Sequence, residues 1–348
     1  VPADTAAATL ELLRGSDSVL NIVHLPGAAT KPDGDVILCD VAREDTSVLV
    51  HDLRELQIPE RGSIAIEYVD IEISDAAERA EAAASGLASD AVVWEDVEAR
   101  TSETTELSFS FVGFMVLAML IAAVGIMLDQ PVLIVGAMVV GPEFGPLAAC
   151  SVAIVELRAG LVRRSLAALG VGFPVGIVVA LLVTVLLRKT GLAPEGFSTD
   201  DHPLTDFVSN PDFFSFFVAY VAGTAGILSL TSAKSGALVG VLISVTTIPA
   251  GANVGVAAAY GDWEQCGGAA GQLAINLVTI VAAGVVTLYF QRLYYLRRRR
   301  RHLSDPARTG AGLPLGRSRR AGSATFETPR DTASGRRAKQ GSGRTGRS

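Results

Sequence analysis

Six long apolar runs lie between Leu107 and Phe290, and they constrain the fold more than any other feature of the chain. A helix rises about 1.5 Å per residue, so about 20 apolar residues cross the hydrocarbon of a bilayer. With 49% hydrophobic residues and a mean hydropathy of +0.41, the chain is predicted to be an α-helical polytopic membrane protein with six transmembrane helices. The runs cover residues 107–128, 131–155, 165–187, 213–231, 235–259 and 267–290.

The second run is interrupted by the sequence Gly-Pro-Glu-Phe-Gly-Pro at residues 141–146. Proline removes a backbone donor and clashes with the preceding turn, and an ionisable group at membrane depth costs at least about 2.5 kcal/mol. Such a sequence is tolerated in a membrane only where protein or a water-filled cavity surrounds it. It therefore predicts a broken helix and is the first candidate for a functional site.

The fifth run carries a similar interruption, Ile-Pro-Ala-Gly-Ala-Asn at residues 248–253. In addition, residues 176–189 align without gaps on residues 279–292 at an offset of 103, and five of the fourteen positions match. Three spans are an odd number, so a second copy enters the membrane from the opposite face. We therefore predict two inverted three-helix repeats with broken helices, at about residues 107–189 and 213–291. The alternative is that glycine and proline only allow close helix packing.

Glu143 is the charged residue of these interruptions, and a carboxylate there binds a cation or carries a proton. Each neighbouring polar side chain alone is better explained by a hydrogen bond between helices. No cofactor and no metal site are predicted, because the three cysteines are far apart and lack histidines at ligand spacing. Together, the residues of the two breaks and the nearby oxygen donors form a predicted ion or solute pathway: Glu143, Pro142, Gly145, Pro146, Ser244, Thr246, Thr247, Pro249, Asn253 and Asn276.

Residues 1–106 form an acidic head with a net charge of −16. Their pattern predicts a helix at 2–14, strands at 18–25 and 36–39, a helix at 46–56 and a strand at 63–73. This order becomes the βαββαβ of a ferredoxin-like unit if one strand precedes Val1. We therefore predict an N-terminal ferredoxin-like α+β cytoplasmic domain at residues 1–74, followed by an acidic helical linker at residues 75–106.

Small domains of this kind often bind small ligands or dimerise, and the fold alone does not decide between these roles. A homo-oligomer is expected on this basis. His24 and His51 are candidate ligands or pH sensors, but a packed or solvated histidine is the better explanation for each.

Basic residues in the connections set the predicted orientation. Arginines follow the second run, Lys234 follows the fourth, and an arginine cluster follows the sixth, so all three lie on one side. Both termini are therefore predicted to be cytoplasmic, in a multi-pass protein of the bacterial plasma membrane. Residues 292–348, with a net charge of +13, are predicted to form a disordered basic tail.

The arginine cluster at the start of the tail is predicted to contact anionic lipid headgroups, with a simple topology anchor as the alternative. Specific nucleic-acid binding is not predicted, because aromatic residues are not interleaved with the basic ones. The cluster consists of Arg297, Arg298, Arg299, Arg300 and Arg301.

At the two breaks, the chain resembles a bacterial membrane protein family of uncharacterised hydrophobic domains, grouped as domain of unknown function 389. The resemblance rests on residues 134–148, on residues 240–253 and on Gly-Asp-Trp-Glu at residues 261–264, and it extends over about residues 1–292. Many relatives have a Pro-Pro pair in the fifth span. The single Pro249 and the sequence Gly-Pro-Glu at 141–143 resemble an actinobacterial-type branch instead. The resemblance implies the topology and leaves the activity open.

The leading prediction is a transporter or channel-like protein for an ion or small solute, regulated by its cytoplasmic domain. The alternative is a non-transporting membrane sensor or scaffold, in which the head binds a ligand or partner and the broken helices only pack. An enzyme is not predicted, because the sequence carries no nucleophile-base pair and no phosphate-cradling loop in a strand-to-helix context.

Overall fold

The computed structural model describes residues 1–69, 74–84, 91–194, 213–232 and 246–316, with the backbone alone at residues 103 and 104. Most of these residues are helical. They form a small N-terminal head with one sheet, two linker helices and a body of long apolar helices. A continuous helix leaves this body and leads the chain back to the head.

The head is built around a two-stranded antiparallel sheet. Helix α1 (Ala3–Arg14) precedes strands β1 (Val19–Thr30) and β2 (Asp33–Val41), and helices α2 (Arg43–Glu55) and α3 (Ile58–Arg61) follow. The sequence order of helix, strand, strand and helix is therefore present. The core under the sheet contains Leu12, Leu13, Leu49, Leu56 and Ile58.

Two details of the head differ from the predictions. Strand β1 does not end before Pro26, because a register shift between Leu25 and Ala29 accommodates the proline, and Gly27 adopts a φ of +63°. The predicted third strand is absent from residues 63–69, while residues 70–73 lie outside the described part of the chain. Among the described residues, the sheet consists of β1 and β2 alone, so residues 63–69 pair with no strand there. The ring of Tyr68 lies 5.1 Å from the guanidinium of Arg43.

The linker contains α4 (Asp75–Ala83) and α5 (Trp94–Thr104). Residues 85–90, between these two helices, lie outside the described part of the chain. Ser74 caps α4 by accepting hydrogen bonds from the backbone N–H groups of Ala76 and Ala77. Helix α5 packs against the apolar body, so it connects the head to that body directly.

Within the described residues, four helices are long and apolar enough to cross a membrane: α6 (Phe109–Met127), α9 (Ala159–Lys189), α10 (Phe213–Thr231) and α12 (Trp263–His302). A bent pair, α7 (Pro131–Val140) and α8 (Phe144–Val155), gives a fifth candidate span. These helices occupy five of the predicted runs and indicate a membrane protein. The remaining run, 235–259, is described from residue 246 onward and contains α11 (Thr247–Tyr260).

Helix α6 shows how the body is packed. Met115, Ala118, Met119 and Ala122 recur at helical spacing and are fully buried, so this face lies against α7, α9 and α11. The opposite face is equally apolar but exposed, as expected for a surface in contact with lipid. Helix α12 packs against α8, α10 and α11.

The prediction of a disordered tail from residue 292 is wrong for residues 292–316. Helix α12 continues to His302, and α13 (Ala307–Gly310) packs against α1. Ala311 and Leu313 enter the core of the head, which explains why this part of the tail is folded. Residues 317–348 lie outside the described part of the chain.

Candidate functional site

The first break separates α7 from α8 by a bend of 52°. Gly141 has an extended backbone, with φ −65° and ψ 130°, because the residue before a proline is kept out of the helical region. Glu143 then occupies the N-cap position of α8. Pro146 is the third residue of that helix, where a proline costs no intrahelical hydrogen bond.

The second break has the same local pattern. Thr246 is the N-cap of α11, and Pro249 is the third residue of this helix. The first intrahelical bonds are donated by Leu147 to the Glu143 carbonyl and by Ala250 to the Thr246 carbonyl. Two helix N-termini, with their positive dipole ends, thus begin at the two breaks.

Hydrogen bonds join the two breaks to α12. The Thr247 hydroxyl donates to Oε1 of Glu143 over 2.8 Å, which connects the start of α11 to the cap of α8. Asn276 Nδ2 donates to the Thr246 hydroxyl over 2.8 Å, and Gln272 Nε2 donates to Asn276 Oδ1 over 3.4 Å. These five side chains, Glu143, Thr246, Thr247, Gln272 and Asn276, form what we call the helix junction.

Four of the five junction side chains are buried, and Thr246 is half-buried. The exposed fraction of Glu143 is 2%, and Thr247, Gln272 and Asn276 are buried as well. Oε2 of Glu143 and Oε1 of Gln272 have no hydrogen-bond partner among the described residues. An ionisable group so placed is costly to bury, and it marks a candidate functional site.

Close packing holds the Glu143 side chain in place. A Cβ added at Gly141 would collide with Oε2 of Glu143 and would approach Cγ1 of Ile248 to 2.6 Å. Only glycine therefore leaves room for the carboxylate beside the backbone of the break. The glycine of the Gly-Pro-Glu sequence has a steric role as well as a conformational one.

The junction contains four of the predicted pathway residues, Glu143, Thr246, Thr247 and Asn276. Pro142, Gly145, Pro146 and Pro249 shape the breaks around it, whereas Ser244 lies outside the described residues. Asn253 is buried in α11, about two turns beyond Thr246. Sequence reasoning missed Gln272, although its position four residues before Asn276 in an apolar helix was a usable signal.

The helices that begin at the junction, α8 and α11, run in opposite directions from it. The connection after α8 lies beside the linker, where Arg158 forms an ion pair with Glu98 of α5. Helix α9 starts there and runs to the opposite side of the body. At that far side, the Tyr260 hydroxyl at the end of α11 donates to the Pro194 carbonyl over 2.8 Å. Helix α8 therefore leads toward the head and α11 leads away from it.

A second group of charged residues joins the tail to the head. Arg298 donates to Oδ1 of Asp45 over 2.8 Å, and His302 Nε2 lies 2.8 Å from Oδ2 of Asp52. Arg308 is 0% exposed and pairs with both Asp52 and Glu55, at 3.1 Å from Oε2 of Glu55. These six side chains, Asp45, Asp52, Glu55, Arg298, His302 and Arg308, form what we call the head–tail cluster.

The head–tail cluster divides the predicted lipid-contacting arginines into two groups. Arg298 bonds to Asp45, and Arg299 bonds to His51 of the head. The other three side chains are exposed: Arg297, Arg300 and Arg301.

Burial also shifts two titratable groups near the head. The pKa of His51 is lowered from 6.5 to about 4, first by burial and then by the charge of Arg299. The pKa of Glu156, which follows α8, is raised to about 7 by burial and by the neighbouring Glu98. Of these two groups, only Glu156 has a pKa near neutrality.

Comparison with known proteins agrees with the position of the junction. Residues 138–282 match the family model described as Domain of unknown function (DUF389). This part of the chain is therefore similar to that family. The DUF389 region includes both breaks and every side chain of the junction, from Glu143 to Asn276.

A relative of the chain is an uncharacterised protein of Methanocaldococcus jannaschii, 27% identical over 185 residues. The aligned part covers 53% of the chain and 55% of the relative, so the chain spans about half the length of that protein. No solved structure matches the chain.

Proposed function

We propose that the protein is a transporter or channel-like membrane protein for an ion or small solute, with its pathway at the helix junction. The observation that carries the proposal is Glu143, a carboxylate buried between apolar helices and hydrogen-bonded from one break to the other. A carboxylate in such a place costs stability, so a role in binding explains its presence better than packing does.

We also propose that the body has six spans arranged as two inverted repeats, and the positions of the helices along the chain support this. Helices α6 and α10 both have 19 residues and begin at 109 and 213, which is an offset of 104. Helices α8 and α11 begin at an offset of 103, and α9 and α12 at an offset of 104. These offsets agree with the 103 found by aligning the sequence with itself.

The packing of the half-helices has the same symmetry. Helix α8 packs against α9 of its own repeat and α12 of the other, and α11 packs against the same two helices. Because α8 and α11 run in opposite directions, the arrangement is the one expected of inverted repeats. Discontinuous helices of this kind meet at substrate sites in secondary transporters.

In this proposal, the head and both termini face the cytoplasm of a bacterial cell. Two contacts support a common side for the head and the tail: Glu98 with Arg158, and Asp45 with Arg298. The exposed arginines of the tail remain available for anionic lipid headgroups.

We further propose that the head is a ferredoxin-like domain that regulates the body, in a homo-oligomer without enzymatic activity. The backbone of Val1 exchanges two hydrogen bonds of 2.8 Å with Asp35 of β2. This antiparallel pairing is the one that a ferredoxin-like sheet requires at that edge.

Flux measurements with the purified protein in proteoliposomes test the pathway. Protons, Na⁺, K⁺ and small solutes are offered one at a time to the wild type and to Glu143→Gln. We expect a flux that Glu143→Gln abolishes and that Glu264→Gln, an exposed change at the start of α12, preserves. A flux that is equal in all three proteins would remove Glu143 from the pathway.

The alternative function, a non-transporting membrane sensor or scaffold, is favoured by the head–tail cluster. Its buried ion pairs hold the head against α12 and residues 303–316, so a ligand or partner of the head has a direct mechanical connection to the membrane body. A protein that passes no solute in the flux assay, but whose head changes its amide exchange when a partner binds, would support this second function.

A further inference from the structure

We propose that the ion bound at the helix junction is a proton, held on Oε2 of Glu143, and not a metal cation. The inference rests on the proposed function in one respect: only there does the bound proton take part in a transport cycle. Its physical basis is local, because it concerns the one carboxylate of the junction and the atoms around it.

The charge balance of the junction is the first step. No charged side chain occurs in α6, α7, α8 or α11, or in α12 between residues 265 and 291. Glu143 also forms no ion pair within the described part of the chain, while Lys234 lies outside it. A single buried carboxylate becomes neutral by binding one proton or one monovalent cation, whereas a divalent cation would leave a net positive charge.

The coordination available to a metal cation is the second step. Among the described residues, no group of three or more His, Cys, Asp or Glu side chains converges on a common point. Hard cations such as Ca²⁺ and Mg²⁺ take six or more oxygen ligands. The junction offers one carboxylate and one amide oxygen without a hydrogen bond in the described part of the chain, Oε1 of Gln272, which is far short of such a ligand set. Its other hydroxyl and amide groups bond to one another or to that carboxylate.

The space around Oε2 is the third step. This oxygen lies against the backbone of Gly141 and close to the fully buried Ile248, so apolar atoms take up part of the space in which further ligands of a metal ion would lie. A proton needs no coordination shell. The other oxygen, Oε1, is fixed by the Thr247 hydroxyl at 2.8 Å, which leaves Oε2 as the atom that carries the proton.

The two helix N-termini explain why the proton can also leave. Burial disfavours the charged carboxylate, but the positive ends of α8 and α11 and the Thr247 hydroxyl favour it. Opposing effects of this kind allow one group to gain and lose a proton in a cycle without a counter-ion.

Infrared spectroscopy tests proton binding without any assumption about transport, because a protonated carboxyl has a carbonyl band that a carboxylate lacks. Glu156 is also buried and is removed first, so the spectra compare Glu156→Gln with Glu156→Gln/Glu143→Gln across a pH series. We expect a band that titrates in the first protein and is lost in the second. Thr247→Val, which keeps the carboxyl but removes its hydrogen bond, should shift this band rather than abolish it.

The outcomes separate the inference from the proposed function. A titrating Glu143 band in a protein that moves neither protons nor any other offered solute across proteoliposomes supports proton binding and contradicts the transport function. A carbonyl region that does not change with Glu143→Gln at any pH overturns the inference. So does a Glu143 signal that responds to added Na⁺ or Ca²⁺ at constant pH.

Discussion

Replacing Arg308 by methionine should undock the tail from the head. Arg308 is 0% exposed, and its two partners, Asp52 and Glu55, are 1% and 5% exposed. Removing one partner of a buried ion pair leaves the other charge without compensation and costs about 3–5 kcal/mol. His302 stays within 2.8 Å of Asp52 and offsets part of this loss, so the lower end, about 3 kcal/mol, applies here.

A loss of about 3 kcal/mol raises the population of the undocked tail about a hundredfold, since each 1.4 kcal/mol is a factor of ten. Hydrogen exchange measured by mass spectrometry on the full-length protein reports this change. We expect faster exchange of the backbone amides in α2 and in residues 307–313, with the exchange of α9 unchanged. Arg301→Met is the matched control, because it removes an equally charged but exposed side chain of the same tail.

A rescue experiment separates electrostatics from packing. Adding Asp52→Asn and Glu55→Gln to Arg308→Met removes the uncompensated carboxylates and should restore most of the protection. If Arg308→Met exchanges like Arg301→Met, the cluster contributes nothing to docking and the reasoning fails. If the rescue fails while the single variant is unprotected, the shape of the Arg308 side chain matters more than its charge.

Three further predictions concern the rest of the molecule. The pKa of His51 is about 4 in the folded head and 6.5 in the unfolded chain, so between these pH values the unfolded head binds more protons than the folded one. The free energy of unfolding should therefore fall by up to about 3 kcal/mol as the pH drops from 6.5 to 4. Amide exchange measured as a function of pH should show this slope, and His51→Gln should flatten it. Gly255→Val should lower the melting temperature, because a Cβ at this position would lie 2.7 Å from the Ile177 carbonyl oxygen. Gly136→Val is the control: a Cβ there meets no atom within 4 Å, so the melting temperature should not fall. Arg158→Glu should expose the amides of α5 to exchange by breaking the ion pair with Glu98. The charge reversal of both residues should restore only part of their protection, because Glu156, 3.7 Å from the Arg158 side chain, would then face a second carboxylate.

The breaks were predictable from sequence because their cause is local. A proline keeps the residue before it out of the helical region, so Pro142 locates the end of α7. Pro249 lies in the first turn of α11, where a proline is tolerated, and so marks the start of a helix. The apolar runs were predictable for the same reason, since helix length and bilayer thickness fix their size. The predicted bounds of α10, 213–231, agree with the observed helix residue for residue.

The fold of the tail was not predictable, because it depends on partners distant in sequence. Residues 303–316 contain few apolar side chains, and only their contact with the head shows that Ala311 and Leu313 complete its core. Likewise, the charge of Arg308 indicates a solvated residue until Asp52 and Glu55, more than 250 residues away, are found beside it. The sequence shows which residues are charged, but it does not show which of them form buried ion pairs in the folded protein.

The partners of Glu143 fall between these two cases. Its burial followed from its position in an apolar run, but the choice of Thr247 as donor depends on how α8 and α11 meet. From the sequence alone, Gln272 is sufficiently explained by a single hydrogen bond between helices, as is common for an amide in a membrane helix. Its role becomes visible only when Asn276 is seen bonded to Thr246.

Helix α12 connects the two groups of polar residues. It is continuous from Trp263 to His302 and carries Asn276 of the junction and Arg298 of the head–tail cluster, about 33 Å apart along its axis. A displacement of one end of a rigid helix is transmitted to the other, so the state of the cluster should reach the junction. Arg308→Met tests this directly. If the head regulates the membrane body through α12, amide exchange must change at residues 270–276 as well as in the head; if the change stops at the head, the two groups are independent and any regulation has to pass through α5 instead.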